Sequence, residues 1–417
     1  MNMLNRIVCN LISPVLLAAV VAAAPSARAQ TTSYKFNFGP TAKPGWTQIA
    51  PGTVYAGDPG YGFEPGASVT AGPAGVVSEK PYYFSAKLPE GNYQVTVTLG
   101  GAAEGNVTVK AELRRLMLEQ VHTAPGEAVT RTFIVNLRTP EIPGGTKVHL
   151  KTRETTTEWW DWDEKLTLEF NGLNPAVQSL EIEPAKVPTV YVIGDSTVCD
   201  QPAEPWNSWG QMLPRFFKPD VAVANHSESG EAIDSSLHAL RFAKIFSLMQ
   251  PGDYLFVQFG HNDMKSKAPN KLDIYKNDLK QVIADARAKG GTPVLVAPQE
   301  RKGGVDHGTL EGYPDAVREV AKEQNCALID LNQMSVVFYK SLGSKLGLAF
   351  QDGTHHNNYG SYELAQCIIK GIKADNLPLA AHIADGYGDF DPAHPDNVDT
   401  FKMAVSPKSS AVKPLGN

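Results

Sequence analysis

Short apolar segments alternate with helical patterns along the second half of the chain, and this alternation restricts the possible folds more than any other feature. Five segments read as strands, at residues 189–193, 221–225, 254–259, 293–297 and 327–329. Helical patterns lie between and after them, at about residues 206–217, 233–249, 272–289, 313–324, 333–342 and 359–374. Because parallel neighbours need a long crossover, the sequence predicts a doubly wound parallel sheet with right-handed connections.

The first half of the chain has a different texture. Its strand-like segments show period-two alternation or β-branched residues, and Gly, Pro and Asn separate them; they lie at residues 34–38, 93–99, 106–110, 130–137, 147–151 and 165–170. Residues 111–120 fit either a helix or a strand. Many short strands without helices between them predict a β-sandwich or a barrel.

The length of 417 residues and the change of texture predict two domains. We assign residues 30–177 to an all-β sandwich domain and residues 189–378 to an α/β domain. A linker is placed at residues 178–188, because three prolines fall between residues 175 and 188. The tail at residues 379–417 is given no role.

Residues 1–29 have the pattern of a secretory signal peptide. Arg6 precedes an apolar run at residues 15–24, and the small-residue pattern Ala27-Arg28-Ala29 follows. A membrane anchor is the alternative, but the run is short for a bilayer span. We therefore expect an exported protein, periplasmic or extracellular, without a membrane partner. Cleavage would remove two arginines and no acid, so the net charge would become −8 (−6 − 2), which argues against nucleic acid as a partner.

Three cysteines would remain after cleavage: Cys199, Cys326 and Cys367. An odd number permits at most one disulfide, and Cys326 with Cys367 is one possible pair. The alternative is that all three are small buried thiols. Cys199 is expected inside a helix, which favours a place in the core over a role as a nucleophile.

Small polar residues follow the predicted strands. Gly194-Asp195-Ser196 comes after the first strand, residues 225–230 (NHSESG) after the second, and residues 260–263 (GHND) after the third. Residues 352–356 (DGTHH) come after the last strand and its helix. Because parallel strands end at one edge of the sheet, at least the first three clusters are expected to meet there.

These clusters contain the parts that acyl transfer requires. Ser196 offers a hydroxyl nucleophile, and His355 is a candidate base for its proton. Asp352, three residues before that histidine, is placed to hold it in one tautomer. The backbone N–H groups of Ser196 and Gly230, with the side-chain amide of Asn262, fit an oxyanion hole.

Simpler roles exist for the same residues. Ser196 lies where a helix is expected to begin, so it would cap that helix, a role compatible with catalysis. His355, His356 and Asp352 suggest a metal site, but adjacent histidines seldom reach one ion, and we expect neither a metal nor a cofactor. His261 is expected to be structural, and His356 to be structural or to touch substrate.

The four clusters, in this order along about residues 188–375, resemble the sequence blocks of the SGNH (GDSL-type) esterase superfamily. This resemblance implies a flavodoxin-like, three-layer α/β fold preceded here by the sandwich. It also implies Ser196 as nucleophile, Asp352 and His355 as the other triad members, and Gly230 and Asn262 as oxyanion donors.

Longer strings narrow the resemblance. GDSTVCDQPAEPWNSWGQML and DGTHHNNYG look most like rhamnogalacturonan acetylesterases, which implies removal of acetyl groups from pectin without a metal. Over about residues 31–175, YGFEPG and WWDWDEKLTLEFNG are similar to galactose-binding-like β-sandwich modules. This second match is looser than the first.

Three tryptophans alternate with two aspartates at residues 159–163 (WWDWD). One interpretation is an aromatic platform for sugar rings, with the carboxylates taking sugar hydroxyls or calcium. The other is that Trp159, Trp160 and Trp162 pack against the second domain. Trp206 and Trp209 are expected in the core.

The sequence thus predicts an exported serine esterase that removes O-acetyl groups from a plant polysaccharide, most specifically rhamnogalacturonan. Within enzymes, the alternatives are acetylated xylan or lipid esters as substrates. From another class, the alternative is a carbohydrate-binding protein whose hydrolase domain is inactive. The oligomeric state is left open.

Overall fold

Residues 32–415 are described by a computed structural model, and they belong to a single structural unit. The expected signal peptide, residues 1–29, lies outside these described residues. Among residues 32–415, no helix combines the length and the apolar character that crossing a bilayer would require. The fold is described below as a sandwich lobe (residues 34–184), an α/β lobe (residues 189–374) and a tail (residues 376–415).

The sandwich lobe is built from strands that pair antiparallel, except for β1 with β2, which are parallel. Its strands are β1 (Tyr34–Asn37), β2 (Thr47–Gln48), β3 (Tyr61–Phe63), β4 (Thr70–Ala71), β5 (Val76–Val77), β6 (Tyr82–Lys87), β7 (Gly91–Leu99), β8 (Gly105–Ala111), β9 (Arg115–Thr123), β10 (Val129–Leu137), β11 (Glu141–Ile142), β12 (Thr146–Lys147), β13 (Lys165–Leu173) and β14 (Ala176–Pro184). One sheet has the order β10-β7-β14-β1-β2, with β5 on β14 and β4 on β5. The other has the order β3-β6-β13-β8-β9.

The inner faces of these two sheets share one apolar core. Alternate residues of β7, such as Val95 and Val97, point inward and are fully buried. Leu168 and Phe170 of β13 meet them from the second sheet. Because the period-two pattern places every second side chain on the same face, a strand of this kind buries one face only. The prediction of an all-β sandwich is confirmed.

The predicted linker at residues 178–188 differs from the structure. Residues 176–184 form β14, which lies between β7 and β1 in the middle of the first sheet. Leu180 and Ile182 point into the core, whereas Glu181 and Glu183 do not. The connection between the lobes is therefore only residues 185–188. Residues 111–120, left open between helix and strand, become a turn followed by β9.

The α/β lobe contains a five-stranded sheet that is parallel throughout. Its strands are β15 (Thr189–Gly194), β16 (Ala222–Asn225), β17 (Tyr254–Gln258), β18 (Thr292–Val296) and β19 (Ala327–Ile329). Their order is β16-β15-β17-β18-β19, which is the 2-1-3-4-5 order of flavodoxin-like folds. The predicted fold is confirmed. Its strand order reverses between β15 and β17, and ligands bind at such a switch point, beyond the carboxyl ends of the strands.

Helices cover both faces of this sheet and complete three layers. They are α1 (Trp209–Met212), α2 (Ile233–His238), α3 (Arg241–Leu248), α4 (Lys271–Ala288), α5 (Tyr313–Glu323), α6 (Leu331–Leu342) and α7 (Asn358–Ala374). Val190 and Val192 of β15 face α1, α6 and α7, whereas Tyr191 and Ile193 face α3, α4 and α5. A strand covered on both sides needs apolar residues at every position, as its sequence shows.

Two predicted helices are shorter than expected. The pattern at residues 233–249 is divided at Leu240, which adopts a left-handed φ of 62°. There the carbonyl of Ala239 accepts a hydrogen bond from the His149 N–H of the sandwich lobe, at 3.0 Å. The pattern at residues 206–217 becomes α1 followed by a 3-10 helix, Leu213–Phe216, which contains Pro214.

The tail connects the two lobes. The Lys110 ammonium of β8 donates to the Ala404 carbonyl at 2.7 Å and to the Ser406 hydroxyl at 2.8 Å. The Glu204 N–H of the α/β lobe donates to the Lys408 carbonyl at 2.9 Å. Phe401 packs against the core of the α/β lobe. This segment, which the sequence left without a role, thus closes the junction between the lobes.

The three cysteines in the described part of the chain are free thiols. Cys199 and Cys367 are buried, and Cys326 is partly buried. Burial raises the pKa of all three thiols, to about 11 for Cys326. The possible pair Cys326–Cys367 is therefore not formed, and the interpretation as small buried side chains describes these residues better.

Candidate active site

Ser196 lies on a tight turn directly after β15. The N–H groups of Val198 and Cys199 both donate to the Asp195 carbonyl at 3.0 Å, which closes the turn. Gly194 is required before it, since a Cβ at this position would lie 2.5 Å from the Gln258 carbonyl oxygen of the neighbouring strand. The chain therefore leaves the sheet sharply and presents the serine at the switch point.

The helix that Ser196 was expected to cap is absent from this stretch of the described chain. The turn ends at Cys199, and α1 begins only at Trp209, where Ser208 caps it by accepting from the Gln211 N–H. Pro202 and Pro205 lie between the two and disfavour an earlier helix. A negative charge at Ser196 would thus be stabilised by individual donors rather than by a helix dipole.

Ser196, His355 and Asp352 form a hydrogen-bonded chain. The Ser196 hydroxyl lies 2.8 Å from His355 Nε2, and His355 Nδ1 lies 2.9 Å from Asp352 Oδ2. Ser196 and His355 are each 1% exposed. The other carboxylate oxygen of Asp352 accepts the N–H groups of Thr354 and His355, both at 2.7 Å. The structure therefore brings together all three predicted triad residues.

The pKa of Asp352 is shifted below its ordinary value. Burial alone would raise it, but the hydrogen bonds from the His355 side chain and from two backbone N–H groups favour the charged form and prevail. Asp352 is therefore a carboxylate at neutral pH. A carboxylate at Nδ1 keeps the proton on that nitrogen, so Nε2 is left as the acceptor that faces Ser196.

The three predicted oxyanion donors lie on loops that are hydrogen-bonded to one another. The Glu228 N–H donates to the Gly194 carbonyl at 3.2 Å, and the Asn262 amide donates to the Glu231 carbonyl at 2.9 Å. Within residues 32–415, the N–H groups of Ser196 and Gly230 have no acceptor, and neither has the second amide hydrogen of Asn262. Donors without protein partners in a buried place are what a developing oxyanion requires.

His261 and Asp195 form a buried hydrogen-bonded pair next to the residues of the site. His261 Nδ1 lies 3.2 Å from Asp195 Oδ2, and its Nε2 lies 3.0 Å from the Gln299 carbonyl. Burial would raise the pKa of Asp195, but the contacts with His261 and Thr197 outweigh it and lower the value. Both nitrogens of His261 are engaged, which agrees with the expected structural role.

His356 is also part of the packing. Its Nε2 lies 2.9 Å from the Tyr339 hydroxyl, and its ring packs against Phe350. Burial, reinforced by the neighbouring histidines, lowers its pKa to about 3, so the ring is neutral. Residues 32–415 contain no group of three His, Cys, Asp or Glu side chains arranged to hold a metal ion. The alternative of a zinc site at Asp352, His355 and His356 has no support in this geometry.

Sequence reasoning did not identify the residues of the sandwich lobe that hold the loops of the site. Arg115 binds the Asp200 carboxylate at 2.6 Å, just beyond the turn that carries Ser196. Lys151 donates to the Ser229 carbonyl at 2.7 Å and pairs with Glu231 at 2.6 Å. For Arg115 the sequence does contain a weak indication, because Arg114 and Arg115 interrupt the otherwise apolar residues 113–118.

Comparison with known proteins agrees with this architecture. The model of the GDSL-like Lipase/Acylhydrolase family matches residues 192–361. Rhamnogalacturonan acetylesterase RhgT of Bacillus subtilis is 33% identical over 222 residues, which are 48% of this chain and 95% of that protein. The uncharacterized esterase YxiM of Bacillus subtilis is 28% identical over 384 residues, or 84% of this chain and 93% of that protein.

A crystal structure of YxiM from Bacillus subtilis matches 83% of this chain and 99% of its own, at 26% identity and a TM-score of 0.46. The family match runs from within β15 to the first turn of α7 and includes Ser196, Gly230, Asn262, Asp352 and His355. The match to RhgT extends over nearly the whole of that protein. The chain therefore belongs to the GDSL-like lipase/acylhydrolase family and is a carboxylic ester hydrolase.

Proposed function

We propose that this protein removes O-acetyl groups from a polysaccharide, with Ser196, His355 and Asp352 as its catalytic triad. The observation that carries the proposal is the hydrogen-bonded chain from the Ser196 hydroxyl through His355 to the Asp352 carboxylate. A serine hydroxyl is a poor nucleophile at neutral pH unless a base takes its proton, and this geometry supplies the base and its orienter.

In the acylation step, the Ser196 oxygen attacks the acetyl carbonyl carbon while His355 Nε2 takes the hydroxyl proton. The carbonyl oxygen becomes an oxyanion that accepts from the N–H groups of Ser196 and Gly230 and from the Asn262 amide. When the tetrahedral intermediate collapses, the bond from the acetyl carbon to the sugar oxygen breaks. The His355 proton then passes to that oxygen, which leaves as a hydroxyl.

In the second half of the reaction, water replaces the sugar. His355 takes a proton from the water as the water oxygen attacks the acetyl-serine, and the same donors hold the second oxyanion. Collapse of this intermediate breaks the bond to Ser196, returns the proton to its oxygen and releases acetate. Asp352 stays ionised throughout and stabilises the imidazolium form of His355 in both halves.

The proposed substrate class is rhamnogalacturonan, and the proposed place of action is outside the cytoplasm. The name of RhgT, with its identity of 33%, supports the substrate, as do the longer sequence strings around Ser196 and His355. The proposed export rests on the signal-like sequence of residues 1–29. Acetylated xylan and lipid esters are the competing substrates.

The test measures the acid released by the full chain: acetate from acetylated rhamnogalacturonan and acetylated xylan, and fatty acid from a triglyceride. Ser196→Ala should lower turnover by about 10⁴-fold or more with an unchanged circular dichroism spectrum, because the nucleophile is lost. Ser341→Ala is the matched control, since that serine bonds only to the Phe338 carbonyl within α6. Wild-type turnover by Ser196→Ala would refute the mechanism, and faster release from xylan or triglyceride would refute the substrate class.

A further inference from the structure

The tryptophans of the WWDWD segment do not share one role. Trp162 is buried, donates to Glu154 at 3.0 Å and lies under the Arg138 guanidinium. Asp161, which precedes Trp162, is buried as well and pairs with Arg115 and Arg138. Trp159, in contrast, is 43% exposed, and Trp160 is partly exposed. Only these first two rings are placed to meet a ligand.

A cavity of about 360 Å³ opens beside these two rings. All three parts of the molecule contribute to it: Tyr83 and Arg114 from the sandwich lobe, Pro202 from the α/β lobe, and Lys408 from the tail. The Trp160 ring meets Tyr83 edge to face at 5.1 Å. Aromatic walls with a few polar groups, at a junction between lobes, are typical of ligand sites.

A second cavity, also about 360 Å³, adjoins the first. Pro202, Thr157 and Lys408 line both. The second cavity continues to Trp206, whose indole meets the His355 imidazole edge to face at 5.9 Å. It also includes Gln201, whose amide donates to the Ser196 carbonyl at 2.7 Å. The two cavities therefore extend from Trp159 to two residues, Trp206 and Gln201, that contact His355 and Ser196.

The ring faces are the main feature of the walls, because the Trp160 Nε1 and Arg114 Nε atoms are themselves buried. The Lys165 ammonium lies over both rings, 4.5 Å from the Trp159 centroid and 5.4 Å from that of Trp160. The part of the Trp159 ring that stays exposed suits the apolar face of a pyranose.

The charge of the walls favours an anion. Lys408 donates to the Thr157 carbonyl, and neither Lys408 nor Lys413 forms an ion pair with a carboxylate in residues 32–415. The acids that line the cavities are compensated: Glu158 pairs with Arg153, and burial raises the pKa of Glu112 well above its ordinary value. The groove thus keeps an excess of ammonium groups next to aromatic rings.

We propose that these two cavities form a binding groove for the polysaccharide on one side of the acetylated sugar. In it, an acidic sugar residue, a uronate, stacks on Trp159 beside the edge of Trp160, with its carboxylate near Lys408. This inference rests on the proposed function, because it assumes that the substrate is a polysaccharide. The sandwich lobe and the tail then contribute directly to substrate selection.

The test compares a polymeric with a small substrate. For Trp159→Ala and Trp160→Ala, the ratio of kcat/KM for acetylated rhamnogalacturonan to that for 4-nitrophenyl acetate should fall about tenfold, because one stacked face is lost. Trp46→Ala is the matched control: Trp46 is also partly exposed and lies under lysines, but it lines neither cavity. For that variant the ratio should stay at the wild-type value.

Lys408→Gln tests the charge. Its kcat/KM should fall more for acetylated rhamnogalacturonan, which carries uronates, than for neutral acetylated xylan. An equal fall on both polymers would overturn the uronate assignment.

Binding of deacetylated rhamnogalacturonan oligosaccharides, measured by titration calorimetry on Ser196→Ala, gives a readout that does not need turnover. There the additional change Trp159→Ala should weaken the affinity about tenfold. Unchanged affinity and an unchanged kcat/KM ratio would refute the groove while leaving the esterase mechanism intact. Trp159 is exposed enough for its replacement to fold, so this variant decides the matter even if Trp160→Ala does not fold.

Discussion

Lys151 lies outside the α/β lobe, yet it contacts the peptide unit that carries one of the proposed oxyanion donors. Its ammonium donates to the Ser229 carbonyl at 2.7 Å and pairs with the Glu231 carboxylate at 2.6 Å. The Ser229 carbonyl and the Gly230 N–H belong to the same planar peptide unit and point in opposite directions. Fixing one of them therefore fixes the other. Gly230 has a φ of 78°, and glycine populates positive and negative φ values about equally. A fixed contact on its peptide unit therefore limits the orientations that its N–H can take.

The size of the effect follows from the hydrogen bond that is lost. A bond from a charged donor contributes about 1.5–3 kcal/mol, and the lysine side chain is 31% exposed, which reduces this to about 1–2 kcal/mol. If that energy orients the Gly230 N–H, Lys151→Met should lower kcat about 5- to 30-fold. KM should change little, because the oxyanion exists only near the transition state.

The assay is steady-state hydrolysis of 4-nitrophenyl acetate. Lys151→Arg keeps a charged donor and should recover part of the loss. Lys147→Met is the matched control, because that lysine is 66% exposed and pairs only with Glu141 at the surface. A kcat of Lys151→Met within twofold of wild type, in a folded protein, would refute the link between this lysine and the oxyanion loop.

Three further predictions concern Asp352, Glu363 and Gly194. Asp352→Asn should lower kcat about 10³- to 10⁴-fold, because an amide does not stabilise the imidazolium, and a loss below tenfold in turnover assays would contradict the triad. Burial raises the pKa of Glu363 to about 8, so its contribution to stability is present below its unfolded pKa of about 4.5 and is lost as pH rises through about 8. Glu363→Gln should remove up to about 5 kcal/mol of this pH dependence of the free energy of unfolding. Urea midpoints measured between pH 4 and 9 test this. The same dependence of the midpoint on pH in the variant as in the wild type would contradict it. Gly194→Ala should destabilise the fold by about 2–3 kcal/mol in urea unfolding because its Cβ meets the Gln258 carbonyl, whereas Gly52→Ala, which meets nothing, should not.

The features that the sequence predicted are local ones. Each functional cluster directly follows a strand or occupies one short loop, so the order of strands was enough to bring Ser196 and Asn262 to one edge. Asp352 and His355 are only three positions apart, and the backbone of their own loop closes the pair. Such contacts depend on short segments whose residue types already limit their conformations.

The features that the sequence missed depend on distant partners. In β14, Leu180 and Ile182 alternate with acidic residues as in a strand, but the prolines at both ends suggested a linker. Pairing with the neighbouring strands β7 and β1 determines its conformation. The break at Leu240 depends on a hydrogen bond from His149, 91 residues earlier, and Lys151 finds Ser229 across 78 residues. No local pattern encodes these pairings, because the packing of the two lobes determines them.

The contacts of the tail have a consequence for how the molecule is completed during synthesis. Chains emerge from the ribosome with the amino-terminal part first, and domains generally fold as units. The sandwich lobe nevertheless contains Lys110, whose side chain is 2% exposed in the folded protein and whose acceptors, Ala404 and Ser406, follow it by 294 and 296 residues. Until residues 404–406 are made, this ammonium lacks those acceptors and must stay hydrated, so the early lobe reaches its final packing only after they have emerged.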